Sequence, residues 1–513
     1  MNILRDKFKT YELFGIGLSI LAILLLIITV FLGLNNALST DEGFTFHLMG
    51  MSFKDIVLAT ANDVHPPLYY IILKCIMNIF SPGNSFNIIV GKLFSIVPII
   101  SLIFFSLIKI RKDFGWLTSG IFTFSIVAMP RMMFYGIEAR MYSLSLLFVT
   151  LSFYYCYMIT KQPNKKNWII FNLFSLFAAY THYYGLIAAG FLYIFLLCNI
   201  ISKNRNLIKK WVISAMVAVL VYVPWVYLFI NSSKYFSSSQ WTQPAIKDII
   251  LVIGFIFSPI KDVYEFKYLL NPFWTTLFEI FGILLLVSFI VLIFTQISKK
   301  NKGKRGSLTF IEWGSIFLIF LTSIFVIIFS ILVKPMFEAR YFTPFLGCLW
   351  LSFAVLLCKS YSIKKIFTPI LIIFLLTGFC SSVTLIDFKH YYGESISDFE
   401  NNLNQIDKND TIIFLIYPWA EYFVKYYYHG NNIIIWDNDN PTIIDGEEAS
   451  KKGYTLLYDM GIGVSDIKKD KQIKIGINKT LVNDGFKLEN VSRLIIPDYY
   501  RYYTSQVYEI KPQ

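Results

Sequence analysis

Eleven long apolar runs constrain this chain more than any other feature of its sequence. A helix needs about 20 apolar residues to cross the hydrocarbon layer of a bilayer. Only 15% of the residues are charged, whereas a soluble domain carries about 25%. The sequence therefore predicts an α-helical polytopic membrane protein with about 11 transmembrane helices, over Leu13–Leu34, Phe86–Ile108, Trp116–Met133, Met141–Thr160, Trp168–Tyr184, Gly185–Ile201, Trp211–Ile230, Phe273–Ile297, Leu308–Val333, Tyr341–Cys358 and Ile366–Ile386.

Two further apolar runs are too short to span comfortably. Pro66–Phe80 also carries Lys74, and Ile249–Ile260 is shorter still. Both are interpreted as interfacial or re-entrant helices on the outer side. The first long run, Leu13–Leu34, is interpreted as a retained helix rather than a signal peptide, because it is long for such a segment and ten more runs follow.

The basic residues predict the orientation of the chain. The formal net charge is +13, but the Lys and Arg residues lie in short loops between apolar runs, which argues against nucleic-acid binding. Twenty-one of them fall on one side of the eleven-run assignment. That side is expected to be cytoplasmic. The protein is therefore expected in the plasma membrane, with its amino terminus inside and its carboxyl tail outside.

The tail differs in composition from the rest of the chain. After Ile386 the long apolar runs stop. The pattern of strands is found in Thr411–Ile416, Ile433–Trp436 and Gln506–Ile510, and a helix is predicted over Trp419–Tyr428. This pattern predicts two domains, a membrane domain over 1–386 and a small extracytoplasmic α/β domain over 387–513. The six cysteines all lie in apolar segments and form no CxxC pair, so neither disulfides nor a cysteine metal site is expected.

Unusual polar residues are concentrated in the loops assigned to the outer side. The first of these loops, residues 35–85, carries Asp41 and Glu42 in DEGF and His65 in DVHPPL. Later outer loops read EARMYSL, with Arg140 and Tyr142; YTHYYG, with His182; and EARYFTP, with Arg340 and Tyr341. Arginine is well suited to bind a phosphate, because its guanidinium group can donate two parallel hydrogen bonds to the phosphate oxygens. A carboxylate can deprotonate an acceptor while an anionic group leaves.

Each of these residues also has a simpler interpretation. Asp41 suits a helix N-cap, as do Ser39 and Thr40. The arginines could extend to the membrane surface or hold lipid headgroups. His65 could belong to a rigid turn before two prolines, and His182 could be a hydrogen-bonded histidine at a helix end.

The ordered set DEGF, DVHPPLYY, EARMYSL, YTHYYG and EARYFTP resembles the membrane glycosyltransferases of the GT-C superfamily. The chain is most similar to bacterial family-39-type enzymes, relatives of the protein O-mannosyltransferases and of the lipid A aminoarabinose transferase. The resemblance extends over most of the membrane domain, which is therefore expected to be a GT-C-like bundle. Where the mannosyltransferases have an acidic residue, this chain has Ser143 and Ser145. The resemblance therefore does not imply that the sugar is mannose or that the acceptor is a protein.

The resemblance implies an inverting transfer from a polyprenyl-phosphate sugar to a cell-envelope glycopolymer, glycolipid or protein. Asp41 matches the general base in the catalytic first loop and Glu42 its neighbour, although the two roles could be exchanged. Residues expected to bind the donor phosphate or substrate are His65, Lys74, Arg140, Tyr142, His182, Arg340 and Tyr341. A divalent metal has been proposed for parts of the superfamily, and His65, His182 and the acidic pair could hold one, but their spacing has no metal signature.

Two functions other than an enzyme also fit parts of this sequence. A transporter or lipid flippase would place charges near the membrane midplane and often contains repeats. In this chain Lys92 and Glu279 lie near the ends of their runs, and no repeat is evident. A non-catalytic envelope protein anchored by its membrane part would not need eleven spans.

Overall fold

The computed structural model describes residues 2–34, 37–63, 65–83, 87–232, 248–260, 271–301, 310–333, 336–404, 411–415, 423, 426–427, 433–436, 454–460, 486–497 and 502–512. The chain divides into two compact units. The first comprises Met1–Leu34 and Leu48–Ile386, and the second comprises Asn35–His47 and Asp387–Gln513. The segment 35–47, assigned to the membrane domain from sequence, thus belongs to the same unit as the tail.

Helices account for most of the first unit, and two helices, α2 and α16, have residues in both units. In chain order the helices are α1 Asn2–Gly33, α2 Thr40–Met49, α3 Phe53–Ala61, α4 Leu68–Phe80, α5 Ile88–Phe105, α6 Arg111–Ala128, α7 Met132–Tyr135, α8 Tyr142–Lys161, α9 Lys165–Thr181, α10 Tyr183–Lys203, α11 Ile208–Ser232, α12 Asp248–Phe257, α13 Pro272–Asn301, α14 Phe310–Leu332, α15 Leu346–Lys359 and α16 Lys364–Asn404. A π-helical turn, Ser106–Ile110, joins α5 to α6, and a 3-10 helix, Ala339–Phe345, precedes α15.

Nine helices in the described residues are long and apolar enough to cross a membrane. The sequence predicted eleven spans, and two local features explain the difference. Ile88–Ala128 counts as one candidate of 41 residues, although it contains two predicted runs on either side of Gly115, whose φ of 88° is not helical. The α9 helix has 17 residues, one fewer than the shortest candidate span allows. The polytopic α-helical architecture is thus confirmed.

The first helix packs against α6 at two glycines. A Cβ atom added at Gly15 would overlap the backbone carbonyl of Trp116, and one added at Gly120 would overlap the backbone of Gly15. The two helix backbones therefore touch directly. Such close approach at small residues is how helices associate in lipid, where burial of apolar surface gives no net driving force.

The two short apolar runs form short helices, as predicted. The α4 helix has 13 residues and α12 has 10. Their position relative to a bilayer stays a prediction.

The second unit contains a mixed five-stranded sheet of order β2-β1-β3-β5-β4. Its strands are β1 Thr411–Leu415, β2 Ile433–Trp436, β3 Tyr454–Met460, β4 Phe486–Pro497 and β5 Tyr502–Pro512. Strand β1 pairs in parallel with both β2 and β3, and Ile412 of β1 lies opposite Ile433 of β2. Strand β5 pairs antiparallel with β3 and β4. Three strands were predicted and are confirmed, although β5 is longer than expected. The predicted helix Trp419–Tyr428 lies mostly outside the described residues.

Candidate active site

Four separate stretches of the first unit bring polar side chains together at helix beginnings. His65 comes just before the Pro66-Pro67 turn that starts α4. Arg140 and Tyr142 lie at the start of α8, and His182 lies between α9 and α10. Arg340 and Tyr341 lie in the 3-10 helix before α15. We call these six residues the His-Arg cluster.

The aromatic rings of the His-Arg cluster are in contact distance. The ring centroids of His65 and His182 are 5.0 Å apart. The Tyr341 ring lies 5.5 Å from His65 and 5.0 Å from His182, edge-on to both. The Tyr142 ring is 6.0 Å from His182. Four stretches that are distant in sequence thus meet around one pair of imidazoles, and a binding role for this cluster stays a prediction.

Two arginines contribute positive charge to this cluster, and the Nε of Arg340 also lies 4.0 Å from a carboxylate oxygen of Glu338. Arg140 is buried and Arg340 half-buried, and both act electrostatically on His65 and His182. Burial, reinforced by the two guanidinium groups, lowers the pKa of His182 to about 3. The same causes, with His182 in addition, hold the pKa of His65 well below its usual value. Both imidazoles are therefore neutral at pH 7.

The hydrogen bonds of His182 fix its tautomer. Its Nδ1 accepts a hydrogen bond of 3.0 Å from the backbone N–H of Tyr184 and so caps the start of α10. In a neutral imidazole one nitrogen accepts and the other carries the proton. Nε2 must therefore be the N–H donor, and this buried atom has no hydrogen-bond partner among the described residues. An unpaired buried donor costs free energy, so Nε2–H is available for an acceptor on a ligand.

Two other cationic side chains bind backbone carbonyls instead. The Lys74 ammonium donates to the carbonyl of Met49. Arg131 has a left-handed backbone, with φ of 71°, and donates to the carbonyls of Phe255 and Ile260 at 3.2 and 2.7 Å. It thereby holds the C-terminal end of α12. Lys74, expected at the site, is thus not among the cluster contacts described above.

Asp41 and Glu42 lie in the second unit, in the first turn of α2. The Ser39 hydroxyl accepts from the Glu42 N–H at 3.2 Å, and the Glu42 carboxylate accepts from the Ser39 N–H at 2.9 Å. This reciprocal pair is a capping box. Ser39 is thus the N-cap, so the interpretation of Asp41 as the cap is wrong. Glu42 is fully buried and serves helix initiation, whereas Asp41 is half-buried.

The paired imidazoles of His65 and His182 are also candidate metal ligands. No group of three or more His, Cys, Asp or Glu side chains with metal-binding geometry occurs in the part of the chain that the structure describes. Within the first unit, His65 and His182 have Arg140 and Arg340 as their charged neighbours in the cluster. Two guanidinium groups repel a divalent ion and attract an anion.

The low pKa of His182 predicts a pH-dependent stability. Between about pH 6.5, the usual pKa of histidine, and the folded-state pKa of about 3, the unfolded chain binds a proton that the folded protein excludes. The free energy of unfolding should therefore fall as the pH drops below about 6.5, by at most about 1.4 kcal/mol per pH unit for this group. Thermal unfolding of detergent-solubilised protein from pH 7.5 to 5 would measure this slope.

The matched variant for this measurement is His182→Asn, because asparagine preserves an N-cap acceptor but does not titrate. We expect its unfolding midpoint to fall less steeply with decreasing pH than that of the parent. Equal slopes would contradict a neutral buried His182.

No family model matches this sequence, and no curated protein matches it. Solved structures do. The overall fold is similar to that of two ArnT structures. ArnT from Cupriavidus metallidurans in the apo state matches with a TM-score of 0.56 and 9% sequence identity, over 96% of this chain and 98% of that one. ArnT bound to undecaprenyl phosphate matches with a TM-score of 0.55, 10% identity and the same coverage.

The oligosaccharyltransferase of Archaeoglobus fulgidus, in complex with Zn and sulfate, is similar at a TM-score of 0.46 and 11% identity, over 85% of this chain and 67% of that one. In the described part of the chain, nine helices are long and apolar enough to cross a membrane, and together with the ArnT-like fold they support a multi-pass membrane protein.

Proposed function

We propose that this protein is an inverting glycosyltransferase that moves a sugar from a polyprenyl-phosphate donor to a cell-envelope acceptor on the outer face of the plasma membrane. The observation that carries the proposal is the His-Arg cluster. It combines the buried Nε2–H of His182, which is a hydrogen-bond donor, with the positive charges of Arg140 and Arg340, which act on both imidazoles. A ligand rich in acceptor oxygens and negative charge complements such a site, and a phosphate has both properties.

The fold supports a lipid-linked phosphate rather than a soluble one. ArnT, of the same fold, has a structure bound to undecaprenyl phosphate. In this chain a polyprenyl tail would lie along the apolar helices, and its phosphate would bind Arg140, Arg340 and His182. Neutral imidazoles suit this task because they add donors without further positive charge, so the bound phosphate can leave again after transfer.

The leaving group explains why one carboxylate would suffice. A polyprenyl phosphate departs as a stable anion, and its charge is stabilised by the two arginines. It needs no proton from a general acid. We propose that Asp41 takes the proton from the acceptor hydroxyl as that oxygen attacks the anomeric carbon from the opposite side, which inverts its configuration. Glu42, held in the capping box, would orient the first turn of α2.

The basic loops predict the side of the membrane on which the transfer would take place. With the amino terminus in the cytoplasm and residues 387–513 outside, the site would face the cell envelope. The acceptor would then be a glycopolymer, glycolipid or protein of the envelope, and the transferred group a hexose or pentose, with or without substituents.

Mass analysis of cells with and without this protein tests the proposal. We expect the cells without it to lack one sugar increment on an envelope glycan or lipid, and to accumulate a polyprenyl-phosphate sugar of the same increment. Restoring the gene should reverse both changes. Envelope glycans of unchanged mass, together with a lost uptake or export of a solute, would instead favour a transporter.

A further inference from the structure

The peptide group that leads into α2 is held by two tyrosine hydroxyls of the second unit. The backbone N–H of Leu38 donates to the Tyr427 hydroxyl at 2.7 Å. The Tyr392 hydroxyl donates to the carbonyl oxygen of Leu38 at 2.5 Å. Leu38 is fully buried and both tyrosines are nearly so. Both backbone groups of one residue are therefore bound by side chains from more than 350 positions later in the sequence.

An aromatic cluster fixes these two hydroxyls in place. The Tyr392 ring stacks on Phe388, with centroids 5.5 Å apart and planes at 19°. The Tyr427 ring lies 4.9 Å from Phe423 and 5.9 Å from Phe399, edge-on to both. Rings packed in this way leave a hydroxyl little freedom. Burial also raises the pKa of Tyr427, so this hydroxyl stays protonated and uncharged.

The clamped residue is immediately followed by the cap of α2. Leu38 precedes Ser39, the N-cap, and Asp41 is the second residue of the helix. A shift of the Leu38 peptide would be transmitted through the capping box to the first turn of α2, because Ser39 and Glu42 bind each other reciprocally. A displacement of about 1 Å of a catalytic group can cost roughly 100-fold in rate.

We propose that Tyr392 and Tyr427 are positioning residues for Asp41, and that the C-terminal unit thereby sets the geometry of the base. This inference rests on the proposed function for its chemistry, but the clamp itself does not. Residues of the tail would then contribute to catalysis by positioning Asp41. Neither tyrosine touches the substrate in this scheme, so the donor lipid should bind equally well without the hydroxyls.

The test uses Tyr392→Phe, Tyr427→Phe and the double variant in the full-length protein. Phenylalanine keeps the ring packing and removes only the hydroxyl. Tyr193→Phe is the matched control, because it removes a buried hydroxyl that bonds Ser214 at 3.0 Å in the first unit. Three quantities are measured: hydrogen exchange of the peptide covering residues 37–46, binding of undecaprenyl phosphate, and the sugar increment on envelope glycans at equal protein levels.

We expect exchange over 37–46 to accelerate at least about fivefold in each clamp variant, in line with the loss of one buried hydrogen bond. Transfer should fall about threefold to tenfold in the single variants and more in the double variant. Undecaprenyl phosphate binding should stay within about twofold of the parent, and Tyr193→Phe should match the parent in all three measurements.

The outcomes separate this inference from the proposed function. Unchanged exchange in the double variant would disprove the clamp. Faster exchange with full transfer would show a clamp that does not position the base. An unmodified protein that transfers no sugar would overturn the proposed function, and the positioning role with it, whereas the exchange measurement would still decide whether the clamp exists.

Discussion

Replacing Asp41 with asparagine should lower sugar transfer by about 100-fold or more, because general base catalysis is typically worth 10²–10⁴. The substitution keeps the size of the side chain and removes its charge. Asp41 is not the N-cap of α2, since Ser39 has that role, so helix stability should change little. Transfer is measured from the sugar increment on envelope glycans, at a protein level matched to the parent.

Glu42→Gln is the matched control for Asp41→Asn, because glutamine can replace glutamate in a capping box. We expect Glu42→Gln to retain most of its transfer activity. A large loss in Glu42→Gln with near-normal transfer in Asp41→Asn would exchange the two roles and assign the base to Glu42.

Replacing Arg140 or Arg340 with lysine should weaken the binding of undecaprenyl phosphate at least about tenfold. Arginine can fork onto a phosphate through two directed hydrogen bonds, whereas lysine makes a point-charge contact. Hydrogen bonds to charged groups are worth about 1.5–3 kcal/mol, and about 1.4 kcal/mol corresponds to a factor of ten. The dissociation constant is measured in purified, detergent-solubilised protein.

Arg131→Lys serves as the control for those two variants. Arg131 is also buried, but it donates to the carbonyls of Phe255 and Ile260 at the end of α12. We expect its replacement to lower the unfolding midpoint and to leave the affinity for undecaprenyl phosphate unchanged. If lysine at positions 140 and 340 likewise leaves affinity unchanged, those arginines are structural and the phosphate must bind elsewhere.

The sequence predicted the helical architecture well, because the signal for a membrane-spanning helix lies within one continuous stretch of residues. A run such as Leu13–Leu34 is apolar over almost its whole length, and it can be recognised as a helix without knowing what it packs against. The same holds for strands β1 and β2, which are short and apolar. Strand β4, FKLENVSRLIIP, was missed because its first half is polar and its pairing with β5 depends on residues that follow it.

The sequence predicted which motifs of the first unit would approach one another, but not the contacts of the individual side chains, and the roles assigned to these residues stay predictions. The motifs placed His65, Arg140 and His182 on neighbouring loops, but the free Nε2–H of His182 follows from one hydrogen bond to Tyr184, which no spacing reveals. The capping box had a sequence signal, since Glu42 comes three residues after Ser39. The bond of Lys74 to Met49 had none, because a lysine side chain can reach many carbonyls.

The contact between α1 and α6 restricts how this protein can change over time. A methyl group at Gly15 would overlap the backbone of Trp116, and one at Gly120 would overlap the backbone of Gly15. A substitution at one site cannot be rescued by a smaller residue at the other, because glycine already has no side chain. Any residue with a side chain, at either position, therefore requires the two helix backbones to move apart. The amino-terminal helix is in this sense a fitted part of the bundle, and an unrelated apolar segment of equal length would not replace it.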